Sequence, residues 1–229
     1  MFGAIDLYGP AHIGILVVLI VITLVVIRNC RLGEHLPQSR ASLGLLTFCC
    51  FAAYPINQMA LLSYGTQITL DAIIPLHLCD IAAFICGFAL ITRKPLLCEL
   101  AYFWGLAGTL QGLLTPDLAY GFPHPIFFTF FLQHGVVVIT AIIIPIGLGW
   151  RPAKGAVKRT FILLLSYAAV AMTANYILDT NYGFLKSKPS QASLLDLMPS
   201  WPWYIPLLVG LAMLIFILLS LPFRNDSQN

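Results

Sequence analysis

Three groups able to do chemistry stand together in the stretch IIPLHLCDIAAFICGFALI, residues 73–91: the imidazole of His77, the thiol of Cys79 and the carboxylate of Asp80. A second imidazole, His134, sits in FFLQHGVVV. A thiol near an imidazole can serve as a nucleophile. The imidazole takes its proton, the thiolate attacks an acyl carbonyl, and amide donors steady the oxyanion that forms. Asn57, Gln58, Gln111 and Asn175 are the amides available for that last task. On a helix, residues three or four apart share a face and residues two apart do not. His77 and Asp80 are therefore expected on one face and Cys79 on another, so the base for Cys79 comes from a different helix. His77 paired with Asp80 would fix a tautomer, shuttle a proton, or itself be the base, with Cys79 only lining the bundle. A zinc set of His77, Asp80 and His134 is the metal alternative. The acyl-transfer reading needs neither metal nor cofactor.

Each residue also has a plain structural reading. A lone cysteine in an apolar segment is usually a small hydrophobe, and Cys49, Cys50, Cys86 and Cys98 are read that way, with no disulfide expected. Glu99, near Arg93 and Lys94, is expected at the surface, Asp117 in a turn, and His124 in a loop or capping a pocket. Gly105, Gly108 and Gly112 read as close helix packing. No GxSxG elbow, phosphate-binding loop or dinucleotide fingerprint occurs.

The elements that must position these groups are membrane helices. The chain is 59% hydrophobic and 9% charged over 229 residues, where a soluble domain carries about 25% charge. A bilayer span takes about 20 mostly apolar residues. Seven segments qualify: 10–28, 43–63, 73–91, 96–114, 125–148, 159–178 and 203–221. The run Ile13–Ile27 lacks a basic start and a cleavage site and reads as a retained helix rather than a signal peptide. The long gap before the last segment is expected to hold a short amphipathic helix at ASLLDLM. The expectation is an all-α polytopic membrane bundle of seven transmembrane helices, one domain over 1–223, with a polar tail at 224–229.

Loop charge sets its direction. Of the 12 basic residues, only Lys186 and Lys188 fall on the side shared by Asp6, Asp71, Asp117, Asp179 and Asp196. The others, from Arg28 to Arg224, lie on the opposite side, which places the N-terminus outside and the C-terminus inside. The WPWY at 201–204 then reads as an outer interfacial belt. At about 1.5 Å per residue, Cys79 is about 10 Å deep and His134 about 13 Å deep from the outer side. His12, Asn57, Gln58, Gln111 and Asn175 also fall in the outer half. Polar groups in a membrane cost several kcal/mol unless they face partners or water. Two arrangements satisfy them: an outward-opening polar cavity, or separate helix–helix hydrogen bonds.

The segments PLHLCDIAAF, LQGLLTPDLAYGFPHPIFFTFFLQHG and TNYGFLKSKPSQASLLDLMPSWPWY resemble the YwaF-like bacterial integral membrane proteins over nearly the whole chain. A more distant eukaryotic relative of that family is the phospholipid acyltransferase transmembrane protein 164. The resemblance implies a Cys–His acyl-transfer site with Cys79 in LC and His134 in HG. A related class of membrane ester hydrolases pairs a threonine with a histidine, and this chain departs from it at Cys79. The expected function is a lipid acyltransferase or acyl-ester hydrolase in a bacterial cytoplasmic membrane, with membrane lipids as partners and no nucleic acid. A seven-helix sensor or transporter binding a small ligand in the same cavity is the alternative.

Overall fold

The computed structural model of the chain describes residues 4–65, 69–191 and 193–223; Arg224 and the rest of the 224–229 tail lie outside the described residues. Helix α1 spans Pro10–Leu32, α2 Pro37–Tyr64, α3 Leu70–Ile73 and α4 Leu78–Thr92. Helix α5, Pro95–Trp104, runs through a π segment, Gly105–Thr109, into α6, Leu110–Leu114. Helices α7, Pro125–Ile146, α8, Ala156–Leu178, and α9, Tyr204–Ser220, complete the bundle. Four helices open on a proline, at Pro10, Pro37, Pro95 and Pro125. Its fixed φ suits the first helical turn, and its missing N–H would have been unpaired there anyway.

Among the described residues, six helices are long and apolar enough to cross a membrane, counting Leu70–Thr92 as one. The fourth segment, 96–114, is instead made of three contiguous pieces of 10, 5 and 5 residues. Helix α7 is the centre: 72% of its most apolar window is buried, against 11% for α8 and for α9. Helices α1, α2, α4 and α5 pack around it. Outward faces carry exposed apolar side chains such as Ile20 and Leu24 on α1 and Val170 and Ile177 on α8. A surface of that kind faces lipid rather than water. The protein is a multi-pass membrane protein.

The third segment is not one helix. Pro75 disfavours helical geometry in the residue before it, and Ile74 is extended, with φ −88° and ψ 125°. The chain stays non-helical through His77, which caps α4 with φ −66° and ψ 145°. His77 and Asp80 therefore do not share a helix face, contrary to the expectation from one continuous helix. Side chains from α2 and α8 satisfy the backbone that this break leaves open. Gln58 donates to the Ala72 carbonyl at 2.6 Å, Tyr54 to that of Ile73, and Tyr167 to that of Leu76 at 3.0 Å. Unpaired carbonyls at membrane depth would cost several kcal/mol each.

One end of the bundle gathers basic residues. Arg31 donates to the Ile146 carbonyl at 3.1 Å, and Arg93 pairs with Glu34 at 3.3 Å. Glu99 departs from the surface role expected for it. It is 1% exposed and holds Arg159 in a two-pronged pair, Nη2–Oε1 2.5 Å and Nε–Oε2 3.2 Å. That pair ties α5 to α8 and leaves the buried carboxylate compensated.

At the opposite end, the expected amphipathic helix is one 3₁₀ turn, Leu194–Leu197, closed by Asp196 accepting the Ser193 N–H at 2.7 Å. The WPWY motif divides. Trp201 and Trp203 are exposed, but Tyr204 is buried and donates to the Phe184 carbonyl at 2.5 Å.

Candidate functional site

A cavity of about 780 Å³ opens at the end away from the basic loops, among α2, α4, the π segment, α6, α7, α8 and α9. Its size is that of a small-molecule or cofactor pocket. Every residue expected at the site lines it except Asn175: Asn57, Gln58, His77, Cys79, Asp80, Gln111 and His134. The six cysteines are free, and Cys50 and Cys86 are buried against α7, as packing cysteines would be.

Asp80 is the junction between α4 and α7. Its Oδ2 accepts the His77 backbone N–H at 3.2 Å. Its Oδ1 accepts from the side-chain amide of Gln133 and, at 3.8 Å, from the Cys79 thiol. The bond between positions 77 and 80 thus runs through the His77 backbone. The His77 ring packs edge-on against Tyr182, centroids 5.2 Å apart. Cys79 stands in the first turn of α4, where free N–H groups and the helix dipole favour negative charge.

His134 is held on three sides. Nδ1 lies 2.9 Å from the Phe130 carbonyl. A carbonyl only accepts, so Nδ1 carries the proton and the neutral ring keeps its lone pair on Nε2. The ring stacks on Phe130 at 4.1 Å and 24°. On its other side runs the backbone of Gly112, where an added Cβ would lie 2.7 Å from Nε2. Gly108 makes the matching approach to Leu78, the neighbour of Cys79: a Cβ added there would lie 2.7 Å from Leu78 Cδ2. These glycines let the α5–α6 helix lie directly on the two elements that carry Cys79 and His134.

The amides serve different ends. Asn57 accepts the Thr129 hydroxyl at 2.8 Å through its oxygen, which leaves its NH₂ as a donor. Gln58 braces the break before α4 through the Ala72 carbonyl. Asn175 stands apart from the cavity. Its oxygen takes the Tyr182 N–H at 2.6 Å and the Thr180 hydroxyl at 3.1 Å, and its NH₂ donates to the Tyr182 carbonyl at 3.0 Å. It builds the turn that presents Tyr182 to His77.

His12 and His124 are structural. His12 accepts the Tyr8 N–H at 3.1 Å and donates to the Leu113 carbonyl at 2.8 Å. His124 caps α7, accepting the Ile126 N–H at 3.2 Å. Among the described residues, no three of His, Cys, Asp and Glu gather to hold a metal ion, so the zinc set of His77, Asp80 and His134 is not assembled.

Other lining residues were not singled out from the sequence. Gln133 is 3% exposed, one position before His134 in LQHG, and an amide in so apolar a helix was the available signal. Asp117, read as a turn residue, accepts the Ser190 hydroxyl at 2.8 Å and the Gln191 N–H at 2.9 Å and so binds two loops at the mouth. Lys188 lies there too, donating to the Met198 carbonyl at 2.7 Å. From this polar end an apolar arm runs between α8 and α9, lined by Leu164, Ala168, Val209 and Ala212. Phe161 and Phe216 line its far part, with ring centroids 5.9 Å apart.

The TMEM164 family model matches residues 7–220. The chain belongs to the TMEM164 family. A protein of Treponema pallidum (strain Nichols), described as uncharacterized, is 28% identical over 155 residues, which is 68% of this chain and 64% of that relative. The match thus spans less than two thirds of the relative's length. No solved structure matches. Membership of the TMEM164 family attaches to nearly the whole bundle, cavity included.

Proposed function

We propose that this protein is a membrane enzyme that transfers or hydrolyses acyl groups of lipid esters, with Cys79 as nucleophile and His134 as general base. The observation that carries the reading is one cavity with a polar end, lined by Cys79 and His134, and an apolar arm able to take an acyl chain. A lipid ester has that same division. Family membership supports the class of reaction, through the resemblance to the YwaF-like proteins and to transmembrane protein 164.

In the reaction, the Cys79 proton passes to His134 Nε2 as sulfur bonds to the acyl carbon and the carbonyl electron pair moves onto oxygen. Collapse of this intermediate restores the carbonyl and breaks the ester C–O bond. The leaving alkoxide takes the proton from His134, and a thioester remains on Cys79. A lysophospholipid or water then attacks the thioester, gives its proton to His134, and releases Cys79 as the thiol. Asp80 positions α4 against α7. The chain crosses the membrane seven times with its N-terminus outside, so the cavity admits lipid from the outer leaflet of the cytoplasmic membrane.

The test is to treat the protein in nanodiscs with a long-chain haloacetamide and map the alkylated cysteine. Selective labelling of Cys79 that falls about 100-fold in His134→Ala supports the pair, since positioned general bases contribute on that scale. An unlabelled Cys79, or labelling indifferent to His134, removes the mechanism.

A further inference from the structure

Among the described residues, three that line the cavity carry a buried polar atom without a partner: the hydroxyls of Thr109 and Ser193 and the side-chain oxygen of Gln133. Thr109 and Gln133 stand on the helices that carry or flank the Cys79–His134 end, and both are 3% exposed. An orphaned polar group in a membrane interior is costly and rare, and asks for an explanation. For Gln133 the cause is clear: its NH₂ is turned to Asp80, which leaves Oε1, on the other branch of the amide, without a donor.

Thr109 breaks a rule that other threonines of this bundle obey. Thr23, Thr47, Thr160 and Thr173 each donate to the carbonyl four residues earlier, at 2.7–2.9 Å. That is the usual way a helix quenches a threonine hydroxyl. For Thr109 the carbonyl four residues back is that of Gly105, and the π segment hands it to the Leu110 N–H. Thr109 closes this bulge with its hydroxyl unpaired, and π-bulges frequently mark functional sites.

Its place in the helix is informative. Gly108, one residue before, lies against Leu78, the neighbour of Cys79. Gly112, about one turn after, lies against His134. Thr109 thus sits on the helix stretch that spans from the nucleophile's element to the base's ring.

We infer that Thr109 donates its hydroxyl hydrogen to the carbonyl oxygen of the bound acyl ester and to the oxyanion that oxygen becomes. The inference rests on the acyl-transfer reading above. The Thr109 hydroxyl takes up the charge that arrives on oxygen when the Cys79–carbon bond forms, and releases it when the ester C–O bond breaks. The Gln133 oxygen complements it as an acceptor for the hydroxyl of the departing alcohol once His134 has protonated it. The site so offers one donor and one acceptor, as an ester and an alcohol together require. This role replaces Asn175 and joins the Asn57 NH₂ and Gln111 as donors.

The test compares two reactions of Cys79 in the nanodisc protein. Acylation by p-nitrophenyl palmitate passes through an oxyanion, whereas alkylation by iodoacetamide does not. Thr109→Val keeps the shape and loses the hydroxyl; Thr109→Ser keeps the hydroxyl. Expected is a fall in Cys79 acylation of about 100-fold or more in Thr109→Val, the cost of losing one oxyanion donor. Alkylation stays unchanged, and Thr109→Ser acylates close to the original rate. Acylation of Thr109→Val at the original rate overturns the inference and leaves Cys79 catalysis intact. A parallel fall in acylation and alkylation overturns it too, since the hydroxyl then holds the fold or the thiolate. If the original protein alkylates at Cys79 but never acylates there, the acyl-transfer reading fails and takes this role with it.

Discussion

The backbone of Gly112 forms one wall of the His134 site: a Cβ at 112 would fall 2.7 Å from Nε2, the nitrogen that must take the thiol proton. The His134 ring cannot retreat easily, because Nδ1 is bonded to the Phe130 carbonyl at 2.9 Å and the Phe130 ring stacks on its face. Gly112→Ala is expected to turn the imidazole off its position. Misplacement by about 1 Å costs on the order of 100-fold in rate, so Cys79 alkylation should drop by that scale while the bundle still folds. A Gly112→Ala protein with undiminished Cys79 reactivity would show that Nε2 takes no part.

Gln133→Leu is a stability prediction. It removes the α7 amide that donates to Asp80 and leaves a buried carboxylate short of a partner. Such a loss costs about 1–3 kcal/mol. Thermal unfolding in nanodiscs should report it as a lowered midpoint. Asp80→Asn, which keeps a hydrogen-bonding side chain, should lose less.

Asn175→Ala separates structure from catalysis. The change strands the buried Tyr182 N–H and the Tyr182 carbonyl, both now bonded to Asn175. The expected loss is about 2 kcal/mol or more in unfolding, with little change in the acylation rate per folded molecule. A selective collapse of acylation without loss of stability would return Asn175 to the oxyanion site.

The apolar arm predicts chain-length selection. Phe161 and Phe216 meet edge to face, 5.9 Å apart, and Phe103 backs Phe216 at 5.1 Å. Phe161→Ala opens that part of the arm. Lipids extracted with purified Phe161→Ala should shift toward longer acyl chains than those held by the original protein. Mass spectrometry of the bound lipids reads this directly, and an unchanged profile would place the acyl chain elsewhere.

The long apolar helices were legible because a bilayer demands about 20 apolar residues per span, and those runs stand out between Pro and Gly breakers. The shared lining of Cys79 and His134 was legible from matched depth alone. The break before α4 was only half legible: Pro75 signalled it, but the apolar run on both sides argued for one helix. Glu99 misled because its basic neighbours in sequence, Arg93 and Lys94, are not its partner; Arg159 is, 60 residues on. Asn175 had the right depth but the wrong face, which its own turn partners decide. Thr109 was invisible, since local composition announces neither its unpaired hydroxyl nor the π bulge it sits in.

The most direct test is to incubate the nanodisc protein with a phospholipid of one defined acyl chain, then measure the intact mass and the Cys79 peptide. The account predicts one acyl group on Cys79, released by neutral hydroxylamine, absent from Cys79→Ala and strongly reduced in His134→Ala. Acyl transfer or lipid cleavage that persists undiminished in Cys79→Ala would contradict it.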